Sequence, residues 1–168
     1  HSIGALGNVA AEGYQAIIIL LASLVLNEQL PDELREGSIY VLFPALERGE
    51  QVVINLLASL VLNEQLSDSL RAAAINGLEY AVRVGNKNGR KEAADVLGEI
   101  TPILKVIVSD NQRSDDLRSI AIFALVVATN IGENHTTLKA IKELIPIFTV
   151  IALDEQCSDE LRRGSINA

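Results

Sequence analysis

The hydrophobic positions of this chain repeat over a long period. The string LLASLVLNEQL occupies residues 20–30 and returns unchanged at residues 56–66, an offset of 36 residues (56 minus 20). Repetition over 20–50 residues is the signature of stacked repeats, in which each unit buries its apolar face against the next. The chain is therefore predicted to fold as an array of small, similar units.

A second recurring pattern fixes the register of these units. It consists of a Leu-Arg pair followed by a small residue, an isoleucine and a leucine, with spacings of three and four that predict one face of a helix. We call this predicted helix A. Its full copies occupy residues 34–42, 70–78 and 117–125, and a last copy begins at residue 161.

Helix A has clear start signals and a position suited to close packing. Ser67, Ser114 and Ser158 each precede an aspartate, the arrangement of an N-cap followed by an acid in the first turn, and Pro31-Asp32 is assigned the same role. The small residue is suited to close approach between helices. It is Ser38, Ala74 and Ala121 in the three full copies.

A more apolar helix, helix B, is predicted in each unit. Because it is apolar nearly all round, it is expected to be buried on both sides. Its copies cover about Tyr14–Glu28, Val52–Glu64, Pro102–Asp110 and Pro146–Asp154.

The third and fourth units contain additional residues. Turns at 85–89 and 132–135 are predicted to lead into short helices at 90–98 and 136–143. Pro102 and Pro146 are then expected to start helix B, since proline favours the first helical position. Pro44 lies within a helix A and is expected to kink it.

These patterns predict a single repeat domain over residues 1–168. The expected units are about 1–30, 31–66, 67–113 and 114–157, with a partial unit at 158–168. The chain starts at His1 rather than Met, and both ends fall within a helix A. It is therefore expected to be a fragment of a longer array.

The whole chain resembles the armadillo and HEAT class of α-solenoids. Residues 5–10, Ala-Leu-Gly-Asn-Val-Ala, are similar to the end of an armadillo repeat, and the longer units have room for its three helices. The 36-residue units resemble two-helix HEAT repeats. The resemblance implies an all-α fold, a right-handed solenoid of about four units.

In armadillo proteins that bind extended peptides, the last helix of each repeat lines a concave groove. Carrying its ligand positions over implies a protein-binding groove at Asn8, Tyr40, Asn76, Tyr80 and Phe123. The family's Trp–Asn ladder is missing, which argues against peptide recognition of the nuclear-import type. The alternative is that the tyrosines pack between repeats with their hydroxyls at the rim.

Composition narrows the possible functions. Of the 168 residues, 49% are hydrophobic, with no Trp or Met, which is ample for an aliphatic core. The net charge of −8 disfavours nucleic acid, whose binding proteins usually carry a basic patch. This acidity favours a basic partner or serves only to keep the array in solution.

The cysteine content and the length of the apolar runs indicate where in the cell the protein is expected. Cys157 is the only cysteine, so no intrachain disulfide forms and an intracellular, cytoplasmic protein is expected. Its thiol is assigned a structural or incidental role rather than a catalytic one. The run Ala16–Leu26 and its copy are too short to cross a membrane.

No catalytic, metal or cofactor motif is found, and no enzyme activity is expected. The histidines are His1 and His135, the latter in a predicted turn. Residues 85–89 lack the Gly-Lys-Ser/Thr ending of a phosphate loop. Carboxylates recur near the ends of helix B. We interpret them as solvent-exposed residues at the edge of the array rather than as acid–base catalysts. They are Glu28, Glu64, Asp110 and Asp154.

The leading hypothesis is therefore a protein-interaction scaffold that binds a peptide segment or protein domain on the helix A face. The first alternative is a structural spacer of a larger repeat protein, capable of end-to-end self-association. The second is a regulatory subunit of an enzyme.

Overall fold

A computed structural model describes residues 14–131 and 135–168, and within these ranges the chain is all-helical, without strands. The helices alternate between copies of helix B and copies of helix A, with α3 and α6 as additional short segments. They are α1 (Tyr14–Leu26), α2 (Asp32–Val41), α3 (Phe43–Glu47), α4 (Gln51–Leu62), α5 (Asp68–Val84), α6 (Lys87–Glu99), α7 (Thr101–Ser109), α8 (Asp115–Ile131), α9 (His135–Leu153) and α10 (Asp159–Asn167).

The serine caps of the A helices are confirmed. Ser67 Oγ accepts a hydrogen bond from the Leu70 amide at 3.4 Å, and Ser114 and Ser158 make the equivalent bond at 3.3 Å. The expectation for Pro31 is wrong in its mechanism. Pro31 occupies the N-cap of α2 but makes no side-chain capping bond, since its ring has no acceptor.

Pro44 interrupts the first helix A as expected. Helix α2 ends at Val41, Leu42 forms a turn, and α3 begins at Phe43 with the proline in its first turn. Proline lacks an amide hydrogen and its ring displaces the preceding turn, so the helix is divided there.

The predicted turn at residues 85–89 is too long. Asn86 caps α6 by accepting a bond from the Gly89 amide at 2.8 Å, so residues 87–89 already belong to the helix. The short helix predicted at 90–98 is confirmed within these wider bounds.

The predicted break before Pro146 is absent. Helix α9 runs from His135 to Leu153 with Pro146 inside it, so the short helix and helix B are continuous. His135 is accordingly the first residue of a helix and not a turn residue. Pro146 and Lys142 are both exposed, which leaves water able to hydrate the Lys142 carbonyl that the proline cannot bond.

Each helix A packs against the helix B before it and against the next helix A. The first set of contacts pairs α1 with α2, α4 with α5, α7 with α8 and α9 with α10. The second joins α2, α5, α8 and α10 in chain order. Ser38, Ala74 and Ala121 are all buried, as expected for positions of close approach.

The expectation that helix B is buried on both sides is wrong. In α1, Ile19 is 63% exposed and Leu26 is 55% exposed. In α4, Leu62 is 51% exposed. One side of each B helix packs on its helix A, and the described residues place nothing over the other side.

Candidate functional site

A groove of about 580 Å³ crosses the A helices that the structure describes. Each of these helices, α2, α5, α8 and α10, contributes to its wall, so the groove depends on their stacking. The lining residues are Glu36, Tyr40, Asp68, Ser69, Ala72, Ala73, Ser114, Asp116, Ile120 and Glu160.

The charged side chains that line this groove are all acidic. Glu36, Asp116 and Glu160 come from three different helices, and in the described part of the chain none of them takes part in an ion pair. Ala72, Ala73 and Ile120 provide apolar wall between them. The groove therefore offers uncompensated negative charge beside apolar contact area.

Asp68, in contrast, is used within the fold. Its carboxylate accepts a bond from the Ser114 amide at 2.6 Å and pairs with Arg113 at 3.1 Å, which ties α5 to the start of α8. Partial burial by itself would raise the pKa of Asp68, but the Ser114 amide and the Arg113 guanidinium outweigh it and hold the pKa below its usual range.

The same link is repeated one unit further on. Asp115, which occupies the position of Asp68 in α8, accepts a bond from the Ser158 amide at 2.5 Å. Each of these carboxylates satisfies the N-cap amide of the next helix A. The aspartate after the capping serine therefore serves its own helix N-terminus and also the neighbouring unit.

Tyr40 is the predicted site residue that lines the groove. Its side chain is 48% exposed, and its ring lies 5.3 Å from the ring of Phe43. Phe43 in turn stacks on Tyr80 at 4.6 Å. The three rings form one aromatic cluster between α2, α3 and α5, with Tyr40 at its exposed end.

Tyr80 lies on the packed side of this cluster, outside the groove lining. It is half-buried, and its hydroxyl donates to Glu47 Oε1 at 2.5 Å. That hydrogen bond, with some burial, raises the pKa of Tyr80. The contacts match the alternative in which a tyrosine packs between units with its hydroxyl at the rim.

The remaining predicted residues do not converge on the groove. Asn76 is half-buried and Phe123 is 46% exposed, and neither lines it. Asn8 lies outside the described residues. Of the five, the structure brings Tyr40 to the groove and Tyr80 to its aromatic support.

The arginine of the Leu-Arg pair has a role that the sequence pattern did not predict. Arg35, Arg71 and Arg118 are buried, and each donates through Nε to a backbone carbonyl ten residues earlier, at 2.8, 3.1 and 3.2 Å. The acceptors are Val25, Val61 and Val108, at the ends of the preceding B helices. The sequence did contain a signal for this role, because an arginine recurs directly after a leucine that lies on the predicted apolar face of each helix A.

The turns from helix B to helix A share one geometry. Asn27, Asn63, Asp110 and Asp154 each accept a bond from the amide two residues later, at 2.9–3.0 Å. Asp110 and Asp154 are therefore turn-forming residues, whereas Glu28 and Glu64 lie one position later and are exposed. The recurring carboxylates near the ends of helix B are therefore of two kinds, two that form the turn and two that are exposed beside it.

Residues 85–89 serve in packing and do not form a phosphate-binding loop. The Asn86 amide donates to the Glu47 carbonyl at 2.9 Å, and its side chain donates to the Arg48 carbonyl. A Cβ on Gly89 would lie 2.5 Å from Gly49 Cα, and Gly49 has a φ of +75°. These glycines let the start of α6 approach the turn before α4.

Cys157 is half-buried beside the core, and burial raises the pKa of its thiol. A raised pKa keeps the thiol protonated at neutral pH, when it is a poor nucleophile. Within residues 14–131 and 135–168, no group of three metal-ligating side chains is found. The helices described there include none with the length and apolarity needed to cross a membrane.

No protein-family model, curated protein or solved structure matches this chain. The likeness to armadillo and HEAT repeats therefore depends on the residues quoted above and on the helix contacts of the fold.

Proposed function

We propose that this chain is a protein-binding scaffold, an α-solenoid of the armadillo and HEAT type that holds a partner segment in the groove across its A helices. One observation carries the proposal: the groove takes its lining from all four A helices within the described residues, α2, α5, α8 and α10. A long surface assembled from successive units is what repeat proteins use for extended ligands.

The order of helix contacts supports the solenoid arrangement. A helices touch the next A helix in chain order, and each also packs on its own helix B. The right-handed superhelix and the concave shape of the A face are part of the proposal. A regulatory subunit of an enzyme would use the same groove to hold its partner.

The groove chemistry favours a basic, extended segment as ligand. Asp116 and Glu160 lie on the neighbouring helices α8 and α10, and adjacent packed helices lie roughly 10 Å apart. Glu36 lies two helices away from Asp116, on α2 beyond α5. Alternate side chains of an extended segment lie about 7 Å apart, so lysines or arginines at suitable intervals reach these carboxylates. Tyr40 adds an exposed aromatic face for the stem of such a side chain.

A test is to select ligands from a phage-displayed library of random twelve-residue peptides with the purified chain as bait. We expect enrichment of sequences with spaced Lys and Arg. Glu36→Lys/Asp116→Lys and Tyr40→Ala should each weaken binding of a selected peptide by roughly tenfold or more.

Asp95→Lys is the matched control because Asp95 is exposed on α6, away from the groove lining. All variants should remain folded, since Tyr40 and Asp116 are exposed and Glu36 is half-exposed. A small fall in melting temperature is expected for the variant with Asp116→Lys, because that lysine lies in the first turn of α8 and opposes the helix dipole. Selection of neutral or acidic peptides, or equal loss in the Asp95→Lys control, would count against the groove as the ligand site.

A second candidate is a spacer that associates end to end. Leu34 is 59% exposed, whereas its equivalents Leu70, Leu117 and Leu161 are fully buried by the preceding helix A. At the other end, Ile166 is 70% exposed. These two edges are what a neighbouring unit would cover, in this chain or in another.

A further inference from the structure

The groove across the A helices is lowest over α5, because that helix contributes mainly small side chains. Its lining residues from α5 are Asp68, Ser69, Ala72 and Ala73, and both alanines are buried. The helices on either side, α2 and α8, contact α5 and supply larger side chains, among them Tyr40 and Ile120. Helix α5 therefore forms the floor of the groove, and α2 and α8 form its walls.

Among the residues that the structure describes, this floor offers a ligand no uncommitted charge. Both carboxylate oxygens of Asp68 are engaged, one by Arg113 at 3.1 Å and the other by the Ser114 amide at 2.6 Å. The Ser69 hydroxyl shares a hydrogen bond with Ser67 Oγ at 3.1 Å. A charged side chain seated over α5 would lose water without gaining a partner, so the floor favours an apolar side chain.

The walls beside the floor are apolar as well. Tyr40 on α2 is 48% exposed, and Ile120 on α8 is half-buried, with part of its side chain lining the groove. Phe123 is three residues further along α8 and is 46% exposed, so apolar surface continues on that side of the helix beyond the groove lining. Exposed aromatic and aliphatic side chains around a recess are typical of an interface centre.

Carboxylates that make no ion pair within the described ranges lie to both sides of α5. Glu36 is on α2 and Asp116 is on α8, with Glu160 beyond it on α10. From α2 to α8 is two helix steps, or roughly 16–20 Å. An extended segment covers that distance in about six residues, and side chains an even number of residues apart point the same way.

We propose that the groove selects an extended segment with an apolar residue over α5, between basic residues about six positions apart that reach Glu36 and Asp116. This inference rests on the function proposed above, since it concerns the same groove. It adds a second determinant: the carboxylates place the segment across the helices, and the wall at Ile120 distinguishes an apolar central residue from a polar one.

The test compares two fluorescein-labelled peptides of eleven residues, whose binding to the intact chain is measured by fluorescence anisotropy. Both have lysine at the second, eighth and tenth residues in a Gly/Ser background. One has leucine at the fourth and sixth residues, and the other has serine there. The leucine peptide should bind roughly tenfold more tightly, because partial burial of a leucine side chain contributes a factor of that order.

Ile120→Ala should reduce this preference to roughly threefold or less and leave binding of the serine peptide within about twofold of wild type. The matched control is Ile103→Ala. Ile103 is also half-buried against the core but lies on α7, outside the groove lining, so the control should keep the full preference. The serine peptide shows whether either variant has lost its fold.

The outcomes separate this inference from the function on which it rests. Equal binding of the two peptides, with both weakened by Glu36→Lys/Asp116→Lys, would overturn the apolar determinant and leave the acidic groove as the ligand site. Binding of neither peptide, or binding that the charge reversal does not change, would overturn both. A leucine preference that survives Ile120→Ala would place the leucine contact elsewhere and also overturn the inference.

Discussion

In three of the four Leu-Arg pairs, the arginine acts at the end of the helix before it. The last carbonyls of a helix have no partner within the helix, and the helix dipole places partial negative charge there. Arg35, Arg71 and Arg118 reach these carbonyls from inside the protein, and Arg71 is only 2% exposed. In three of the described units, one buried cation thereby joins helix B to helix A.

Arg71→Met is expected to lower the free energy of unfolding by about 1–3 kcal/mol, because the end of α4 loses a donor that water cannot replace. Urea denaturation followed by circular dichroism measures the change. The control is Arg83→Met, whose guanidinium is 59% exposed and pairs with Glu79, and it should cost less than about 0.5 kcal/mol. Equal effects would show that burial of the arginine does not matter.

At the scale of the helices, small residues set how closely the elements approach. Gly77 on α5 faces Leu57 on α4, and a Cβ there would lie 2.6 Å from Leu57 Cδ1. Gly37 on α2 is also helical, but a Cβ there meets nothing within 4 Å. The two glycines have the same intrinsic cost in a helix and different neighbours.

Gly37→Ala is therefore expected to stabilise the chain by about 0.5–1 kcal/mol, through helix propensity alone. The next unit already has Ala73 at this position (37 plus 36). Gly77→Ala gains the same propensity, but the buried Leu57 side chain must shift to make room, so it should leave the chain about 1 kcal/mol less stable than Gly37→Ala does. Thermal melts of the two variants check the difference. Equal gains would mean that α4 and α5 are packed too loosely for the contact to matter.

At the scale of the whole molecule, units are joined by polar links and charge is distributed unevenly. Asp68 and Asp115 each bind the capping serine amide of the next unit. Unpaired carboxylates face the groove, while α1 and α4 are free of charge. The two surfaces thus differ in charge, acidic on the groove and neutral on α1 and α4.

Asp68 makes the joining of units sensitive to acid. Its pKa is lowered in the folded protein from an ordinary 3.8, so its contribution is fully present above that value and is lost as the pH falls through the lowered folded pKa. Asp68→Asn should lower the melting temperature near pH 7, and the gap from wild type should narrow below about pH 4. Melting curves between about pH 7 and about pH 3 measure this. Asp95→Asn is the exposed control, and a gap independent of pH would contradict the assignment.

Sequence periodicity predicted most helices because a helix depends on spacing and on local start signals. The serine caps, the division at Pro44 and the short helix of the third unit were all visible in this way. The continuous α9 was not, since Pro146 is tolerated when its side of the helix faces water. Of the site, Tyr40 followed from the family resemblance, whereas Glu36, Asp116 and Glu160 did not, because their convergence needs α2, α5, α8 and α10 to stack in order.

The sequence by itself determined that the chain forms repeated helices with an aliphatic core, since apolar spacing and caps act within a few residues of each other. Only the tertiary structure decided which apolar side chains are covered. Leu26 and Leu62 belong to a string that the pattern treats as buried, yet they face outward because no described element covers that side of α1 and α4. Burial depends on what packs against a residue, and the residue's own position in the repeat does not fix it.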